Sequence, residues 1–335
     1  MLVLGIETSC DETAAALVED GLVVRSNVIG SQLEHHRPYG GVVPEIAARA
    51  HLDLLLPTLD RALVEAGATY RDLDAVAMTV GPGLIGALLI GVAAGKALAL
   101  AHDLPMVGVN HLEGHVFAVQ LEFGAVTPPL VALVVSGGHT SIVLLDEQGR
   151  FSALGSTLDD AAGEAYDKIA RFLGLGFPGG PELDLAAQRG SPDAIAFPRP
   201  LLHDNTFDFS LSGLKTAVIR ELRRREAAGE EYTVPDVAAS FQEAIVDVAV
   251  AKTLAAAAHH GVDQVAVVGG VAANTRLRAR MADACEREGL RLLIPSPVLC
   301  TDNGAMIAAA GSNRLARGER DAPSIAADPN LGWDS

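Results

Sequence analysis

The sequence predicts an α/β protein built from two similar domains, on three observations. The composition is that of a globular enzyme, 49% hydrophobic and 20% charged with 34 glycines among 335 residues, a length that accommodates two domains of about 150 residues each. Short apolar runs of strand length alternate with longer stretches of helical periodicity. One local pattern, an apolar run, a polar or glycine-rich turn and a second apolar run, occupies residues 2–26 and returns from residue 130. That recurrence reads as an internal duplication.

In order, residues 2–6 form a strand, Glu7-Thr8-Ser9-Cys10-Asp11-Glu12 a polar turn, 13–18 a second strand, and Asp20-Gly21 turns into a third at 22–26. Residues 44–67 are mostly helix and 75–80 a strand. The following Gly81-Pro82-Gly83-Leu84-Ile85-Gly86 matches G-x-G-x-x-G. That motif normally occupies a chain's first strand-to-helix turn, whereas here a hairpin and a helix precede it, so close helix packing accounts for the glycines better than a dinucleotide does. The most apolar segment, 84–101, is interrupted by Gly86, Gly91, Gly95 and Lys96. It lacks an unbroken run of about 20 apolar residues and is expected to be a buried helix, not a membrane span.

After a strand at 106–109, Asn110 is placed to cap a helix that opens His111-Leu112-Glu113-Gly114-His115. Two imidazoles four residues apart share one helix face, the spacing that a single metal ion needs. Glu113 lies roughly 200° round the helix from His111. It therefore points away from the pair, and a zinc-protease reading is disfavoured.

The second hairpin runs through 130–135, the turn Ser136-Gly137-Gly138-His139, 140–145 and Glu147-Gln148-Gly149. The first turns of both hairpins suit the presentation of backbone N–H groups to phosphate oxygens. Residues 159–173 read as a helix, and 176–184, rich in glycine and proline, allow a close backbone approach to a ligand. Ser212 is expected to cap a helix at 213–228 whose Arg220, Arg223, Arg224 and Arg225 are either a solvated face or a phosphate-contacting patch. A long amphipathic helix at 234–260 precedes a strand at 265–268. The Gly269-Gly270 pair then lets a flat base lie against the backbone, with Asn274 in reach, before a helix at 275–288 and a strand at 290–294. Asp302 has two readings, the N-cap of the last helix or a metal ligand.

The net charge of -17 argues against a broad nucleic-acid surface, so contact with a polyanion has to be local. Cys10, Cys285 and Cys300 describe no disulfide framework. No basic n-region precedes Glu7, and a cytoplasmic protein without a membrane partner is expected.

Over essentially the whole chain these pieces resemble the bacterial TsaD branch of the tRNA N6-adenosine threonylcarbamoyltransferases. The likeness is carried by residues 5–13, 111–115, 134–140, 163–168, 177–181, 209–216, 269–277 and 301–306. The resemblance implies the actin-like, Hsp70-like ATPase fold, with ribonuclease-H-like domains at 1–125 and 126–302, a nucleotide in the cleft between them, and a C-terminal helix at 303–320 packing back on the first. It implies a divalent metal, usually iron(II) and sometimes zinc, held by His111, His115 and Asp302. It also implies an adenine nucleotide, threonylcarbamoyl-AMP or ATP/AMP, bound by Val134, Val135, Ser136, Gly137, Gly138, Asp167, Gly180, Asp184 and Asn274. Archaeal and eukaryotic relatives place a tyrosine where this chain has Val135, so no tyrosinate ligand is expected.

The implied reaction moves a threonylcarbamoyl group from threonylcarbamoyl-AMP to N6 of adenosine 37 in tRNA. Asp11, Glu12 and His139 are the candidate proton acceptors, with none preferred by sequence. Implied partners are the tRNA anticodon loop, a degenerate same-fold paralogue (TsaB-type), a small ATPase (TsaE-type) and the synthase that makes the adenylate (TsaC-type). Arg220–Arg225 and Arg276–Arg280 are the local patches available to tRNA. Two other classes compete: an ATP-dependent small-molecule kinase of the same fold, which has no use for the histidines, and a non-catalytic scaffold paralogue, which is expected to lack them.

Overall fold

Unbroken apolar runs make the central strands. β1 (Leu2–Glu7), β2 (Glu12–Glu19) and β3 (Val23–Ser31) form an antiparallel meander, and β4 (Ala75–Gly81) and β5 (Met106–Asn110) join in parallel on the other side of β1. The order is β3-β2-β1-β4-β5. Every residue of β4 and β5 is buried, because parallel strands covered on both faces have no solvent side to alternate toward. β3 outruns its expected end because its ladder with β2 continues to Ser31, opposite Glu12.

Around this sheet lie α1 (Leu33–His36), α2 (Pro44–Ala66), α3 (Ile85–His102), α4 (His111–Phe117) and α5 (Gln120–Phe123). Helix α3, expected to be buried, is buried along one side only. Ala87, Leu88, Val92 and Ala99 are buried, and the helix packs on β4 and α2, but Ile85, Leu89 and Leu100 are exposed. A helix in the outer layer of a sheet buries only one stripe. By length and composition α3 could cross a membrane, and 33% of it is buried inside the protein.

The second sheet repeats the first. β6 (Leu130–Val135), β7 (Thr140–Leu145) and β8 (Phe151–Ser156) are antiparallel, and β9 (Gln264–Val268) and β10 (Arg291–Leu293) add in parallel beside β6. Read from the third strand, the order β8-β7-β6-β9-β10 is that of the first sheet, so the ribonuclease-H-like frame occurs twice. With this sheet go α6 (Ala162–Phe172), α7 (Gly179–Ala187), α8 (Ser212–Ala228), α9 (Val234–His260) and α10 (Thr275–Glu288), whose core includes Tyr166 edge-on to Phe241 at 5.5 Å. The chain then makes α11 (Pro297–Cys300) and α12 (Gly304–Ala316), the latter packing on β1, β2, β4 and α4. The computed structural model describes residues 1–333, and they divide into two compact units. Unit 1 is Met1–Val126 with Pro295–Ser335, and unit 2 is Thr127–Ile294.

One expected cap is replaced. Ser212 is the first residue of α8 and makes no capping bond. The carboxylate of Asp159 instead accepts the backbone N–H groups of Leu211 and Ser212, at 2.7 and 3.1 Å, and the Ser210 hydroxyl at 2.6 Å. Asp159 was expected inside a helix, yet α6 begins only at Ala162. A carboxylate that can gather three donors does so better from a loop.

The turn after β9 depends on a glycine. Gly269 has φ +90°, and a Cβ there would stand 2.4 Å from the Val135 carbonyl oxygen. Gly269→Ala is therefore expected to lower stability by more than about 1 kcal/mol. A shifted urea midpoint is the measurement, and an unchanged one counts against the close approach.

Candidate metal centre and nucleotide pocket

Helix α4 opens where its sequence says it should, the Asn110 side chain accepting the Leu112 N–H at 2.9 Å. His111 and His115 then stand one turn apart, ring centroids 4.7 Å from each other and nearly perpendicular. Gly114 lets α4 sit close to α12, since a Cβ there would lie 2.8 Å from Ile307. Asp302 immediately precedes α12, and the cap of that helix is Asn303, whose side chain accepts the Met306 N–H at 3.0 Å. The carboxylate of Asp302 is thus not the cap. It lies 3.1 Å from His115 Nε2 and 3.6 Å from His111 Nε2, and one ligand atom from each of the three residues falls within 4.8 Å of the others.

Two observations bear on whether a cation fits. His115 is fully buried, yet neither ring nitrogen has a hydrogen-bond partner. Its Nε2 is within ion-pair distance of Asp302 but lacks hydrogen-bond geometry, a costly state for a buried imidazole unless something else takes the lone pair. His111, by contrast, is held from behind. Its Nδ1 is 3.0 Å from Glu7 and 3.2 Å from Ser9 Oγ, while Glu7 also accepts from Thr79 Oγ1 at 2.6 Å and from the Ser9 N–H. This is how outer-layer carboxylates orient metal-binding imidazoles, leaving Nε2 outward. Burial opposes charge on both partners. The attraction between them outweighs it, holding Glu7 below its ordinary value and raising His111 to about 9 through Glu7 and Asp302. The donor set and the local field both fit a divalent cation.

Glu7 and Thr79 escaped the sequence reading. The available signal was a lone carboxylate ending an otherwise apolar strand.

Asp11 and Glu12 belong to unit 1, His139 to unit 2. Burial, then the charge of Asp302, raises Asp11. Glu12 is pushed up to about 7, chiefly by burial, although Ser31 Oγ donates to its Oε1 at 2.9 Å. Its other oxygen is buried without a hydrogen-bond partner. On the turn of unit 2, the Ser136 N–H is spent on the His139 carbonyl at 2.8 Å, and the His139 N–H donates to Ser136 Oγ at 3.1 Å. Among the described residues, the Gly137 and Gly138 amides of that turn have no hydrogen-bond partner. Val134 and Val135 are buried core in β6, so of the stretch 134–138 the turn alone is accessible.

Unit 2 holds a cavity of about 320 Å³ lined by Gly180, Asp184 and Asn274, all expected, and by Tyr166, Gln188, Gly270 and Val271, among others. Asp167 is not in its wall; its carboxylate accepts the Gly179 N–H at 2.8 Å and so secures the start of α7. Asp184 is pinned by Thr275, which donates from Oγ1 at 2.9 Å and from N at 3.1 Å. Asn274 caps α10 through its oxygen, while its amide nitrogen donates to Gln242 at 2.7 Å and Asp184 at 3.2 Å. Tyr166, Gln242 and Thr275 were not singled out from sequence, because each looks like an ordinary core or capping residue.

The arginine patches are largely neutralised. Arg224 pairs with Glu221 and Glu230, Arg225 with Glu221, and Arg276 and Arg280 with Glu243; Arg280 also reaches Asp247. Arg220 and Arg223 are left without a pair among the described residues.

Glu12 sets a pH dependence. Its folded-state pKa, about 7, exceeds the ordinary 4.5, so between these values the folded chain holds a proton that the unfolded chain has released, and stability falls as pH rises through that window. Glu12→Gln is expected to flatten this slope and to gain on the unsubstituted protein at pH 8 relative to pH 5. Urea denaturation at the two pH values checks it, and parallel pH dependences would contradict the assignment.

Residues 23–309 match the TsaD family, described as tRNA N6-adenosine threonylcarbamoyltransferase. The chain is 53% identical over 330 residues to the tRNA N6-adenosine threonylcarbamoyltransferase of Geobacillus thermodenitrificans, covering 98% of this chain and 96% of that one. It is 52% identical over 332 residues to that of Bacillus subtilis, covering 99% and 95%. Among solved structures, T. kodakarensis HypF superposes with a TM-score of 0.65 at 14% identity, over 94% of this chain and 47% of that chain, a likeness of fold alone. With a family match over most of its length and relatives above half identity end to end, this chain belongs to the TsaD family of tRNA N6-adenosine threonylcarbamoyltransferases.

Proposed function

We propose that this chain transfers the threonylcarbamoyl group of threonylcarbamoyl-AMP to N6 of adenosine 37 in tRNAs reading codons that begin with A, releasing AMP. The observation that carries the reading is the trio His111, His115 and Asp302, its two histidines buried and the ring nitrogens of His115 unmatched, in a chain of this family. A kinase of the same fold has no use for such a trio, and a silent scaffold has no reason to keep it. These three residues would hold the cation, and two imidazoles with one carboxylate favour iron(II), with zinc as the alternative. When bound, the cation supplies Lewis-acid polarisation of a carbonyl oxygen.

The donor is a mixed anhydride, already electrophilic and carrying a competent leaving group. The acceptor amine is weak, its lone pair delocalised into the purine, so positioning and charge stabilisation matter more than a strong base. Asp184, fixed by Thr275 and Asn274, is assigned to the nucleotide's ribose hydroxyls, while Tyr166, Gly270 and Val271 give its cavity an apolar wall. The open amides of Gly137 and Gly138 are suited to phosphate or carbonyl oxygens. Asp11 and Glu12 are assigned to removal of the N6 proton, Glu12 titrating near 7, where a general base works best. The base has to leave the anticodon-loop stack, which costs least in single-stranded RNA.

With so acidic a chain and its arginines mostly paired, tRNA binding is assigned to the complex rather than to this chain alone. The proposed partners are a same-fold paralogue of the TsaB type, a small ATPase of the TsaE type and a TsaC-type synthase, acting together in the cytoplasm. The exposed apolar side chains of α2 and α3, Leu52, Leu56, Leu89 and Leu100 among them, are available to a lasting protein partner.

His111→Ala is expected to lose metal and transfer together while keeping a near-native melting temperature, read by elemental analysis and by nucleoside mass spectrometry of tRNA after incubation with threonine, bicarbonate, ATP and the partners. Full transfer in that variant rejects the cation's role. Glu7→Gln, which keeps the shape behind His111 but removes its charge, is expected to weaken metal binding by roughly 10- to 100-fold. Competition with a chelator measures it, and unaltered affinity counts against the outer-layer role.

A further inference from the structure

Behind the Cys10-Asp11-Glu12 turn, four buried side chains form a line of hydrogen bonds whose direction is set at both ends. The Val43 backbone N–H can only donate, and it meets His36 Nδ1 at 3.2 Å. His36 therefore carries its proton on Nε2, which lies 3.3 Å from Gln32 Oε1. The amide nitrogen of Gln32 then donates to Thr13 Oγ1 at 3.3 Å, and the Thr13 hydroxyl donates to His51 Nδ1 at 2.8 Å. His51 Nε2–H ends the line on the carbonyl of Cys10, which can only accept, at 3.0 Å. One set of tautomers and one orientation of the Gln32 amide satisfy every member. Thr13, Gln32, His36 and His51 are all 0% exposed.

The turn is gripped at adjoining points too. The Gln32 N–H donates to the Asp11 carbonyl at 3.2 Å, and Ser31 Oγ donates to Glu12. Carbonyls at 10 and 11 and the carboxylate at 12 are thus tied to one segment, residues 31–36, and to helix α2.

We propose that Thr13, Gln32, His36 and His51 are positioning residues, a one-way hydrogen-bond line that holds the Cys10-Asp11-Glu12 turn and, with it, the two carboxylates assigned to proton removal. This role rests on the transfer reading above; the line itself does not. A second proton on His36 would set two donors against each other at Val43. Burial keeps both rings below the ordinary imidazole range, helped by His35 at His36 and by His36 at His51, and opposed by Asp11 at both and by Glu7 at His51. A fully satisfied buried network rigidifies what it holds, and a broken one leaves several groups unmatched.

Long-range proton–nitrogen correlation spectra at pH 7 are expected to show both rings neutral with the proton on Nε2. A ring bearing its proton on Nδ1, or an imidazolium, overturns the line. Thr13→Val keeps shape but removes the hydroxyl. Its Gln32 amide is expected to exchange with solvent about tenfold faster, and kcat for transfer to fall about tenfold with the KM for threonylcarbamoyl-AMP unchanged, while Thr13→Ser restores both. If Thr13→Val does not fold, Gln32→Met is read by kcat and by the ring tautomers of His36 and His51, and all of these unchanged in it overturn the positioning role as well. Exchange and kcat both unchanged in the folded variant overturn the positioning role. Absence of transfer in the unsubstituted enzyme instead removes the functional reading, and the ring tautomers and the Gln32 amide still judge the line.

Discussion

The seating of helix α12 against β1, β2 and α4 is the contact on which the candidate metal centre depends. It brings a residue near the end of the chain to two histidines from its first half. Small side chains make this seat possible, since Gly304, Ala305, Ala308 and Ala309 are all fully buried where the helix meets the sheet. Because Asn303 takes the capping role, the carboxylate of Asp302 is spent on the imidazoles instead. Any loosening of α12 would draw Asp302 away from the two histidines.

Around that seat the chain gathers negative charge where burial makes charge expensive. Glu7, Asp302, Asp11 and Glu12 lie in one electrostatic neighbourhood, and the individual responses differ. Glu7 stays ionised because His111 lies against it, Asp11 and Glu12 are pushed toward protonation, and His111 is drawn toward the cationic form. A divalent ion would relieve this tension at one point, and His115, whose ring nitrogens are unmatched, offers it a ligand atom.

The two sheets share strand order and pairing, yet their first hairpin turns have diverged in chemistry. In unit 1 the turn carries acids and is fastened by the His51 side chain of α2, the Gln32 backbone N–H and the Ser31 hydroxyl. In unit 2 the turn is glycine-rich, offering two open amides and packing against the start of α6, where the Gly163 N–H donates to Ser136. One backbone frame serves both because the sheet fixes where the turn is, while the residues on it decide what it does.

Much of this was legible from the sequence because it obeys short-range geometry. The spacing of His111 and His115 is a helical period, Asn110 is a local cap, and the apolar runs of β1, β4, β6 and β9 are long enough to name themselves as buried strands. The site's remaining members were not legible in that way. Whether Asp302 caps or faces the histidines turned on its neighbour Asn303. Glu7 looked like part of a polar turn until Thr79 and His111 closed on it, and of the arginines read as a solvated face or a phosphate-contacting patch, Arg224, Arg225, Arg276 and Arg280 are paired with Glu221, Glu230, Glu243 and Asp247. Helix α3 was apolar enough to be taken as buried, and only its place in an outer layer left one side open. Periodicity and capping are decided within a few residues, so the sequence by itself determined the elements and the histidine pair. Which distant carboxylate meets which ring, and which cation is already paired, are settled by packing across the fold, and only the tertiary structure decided them.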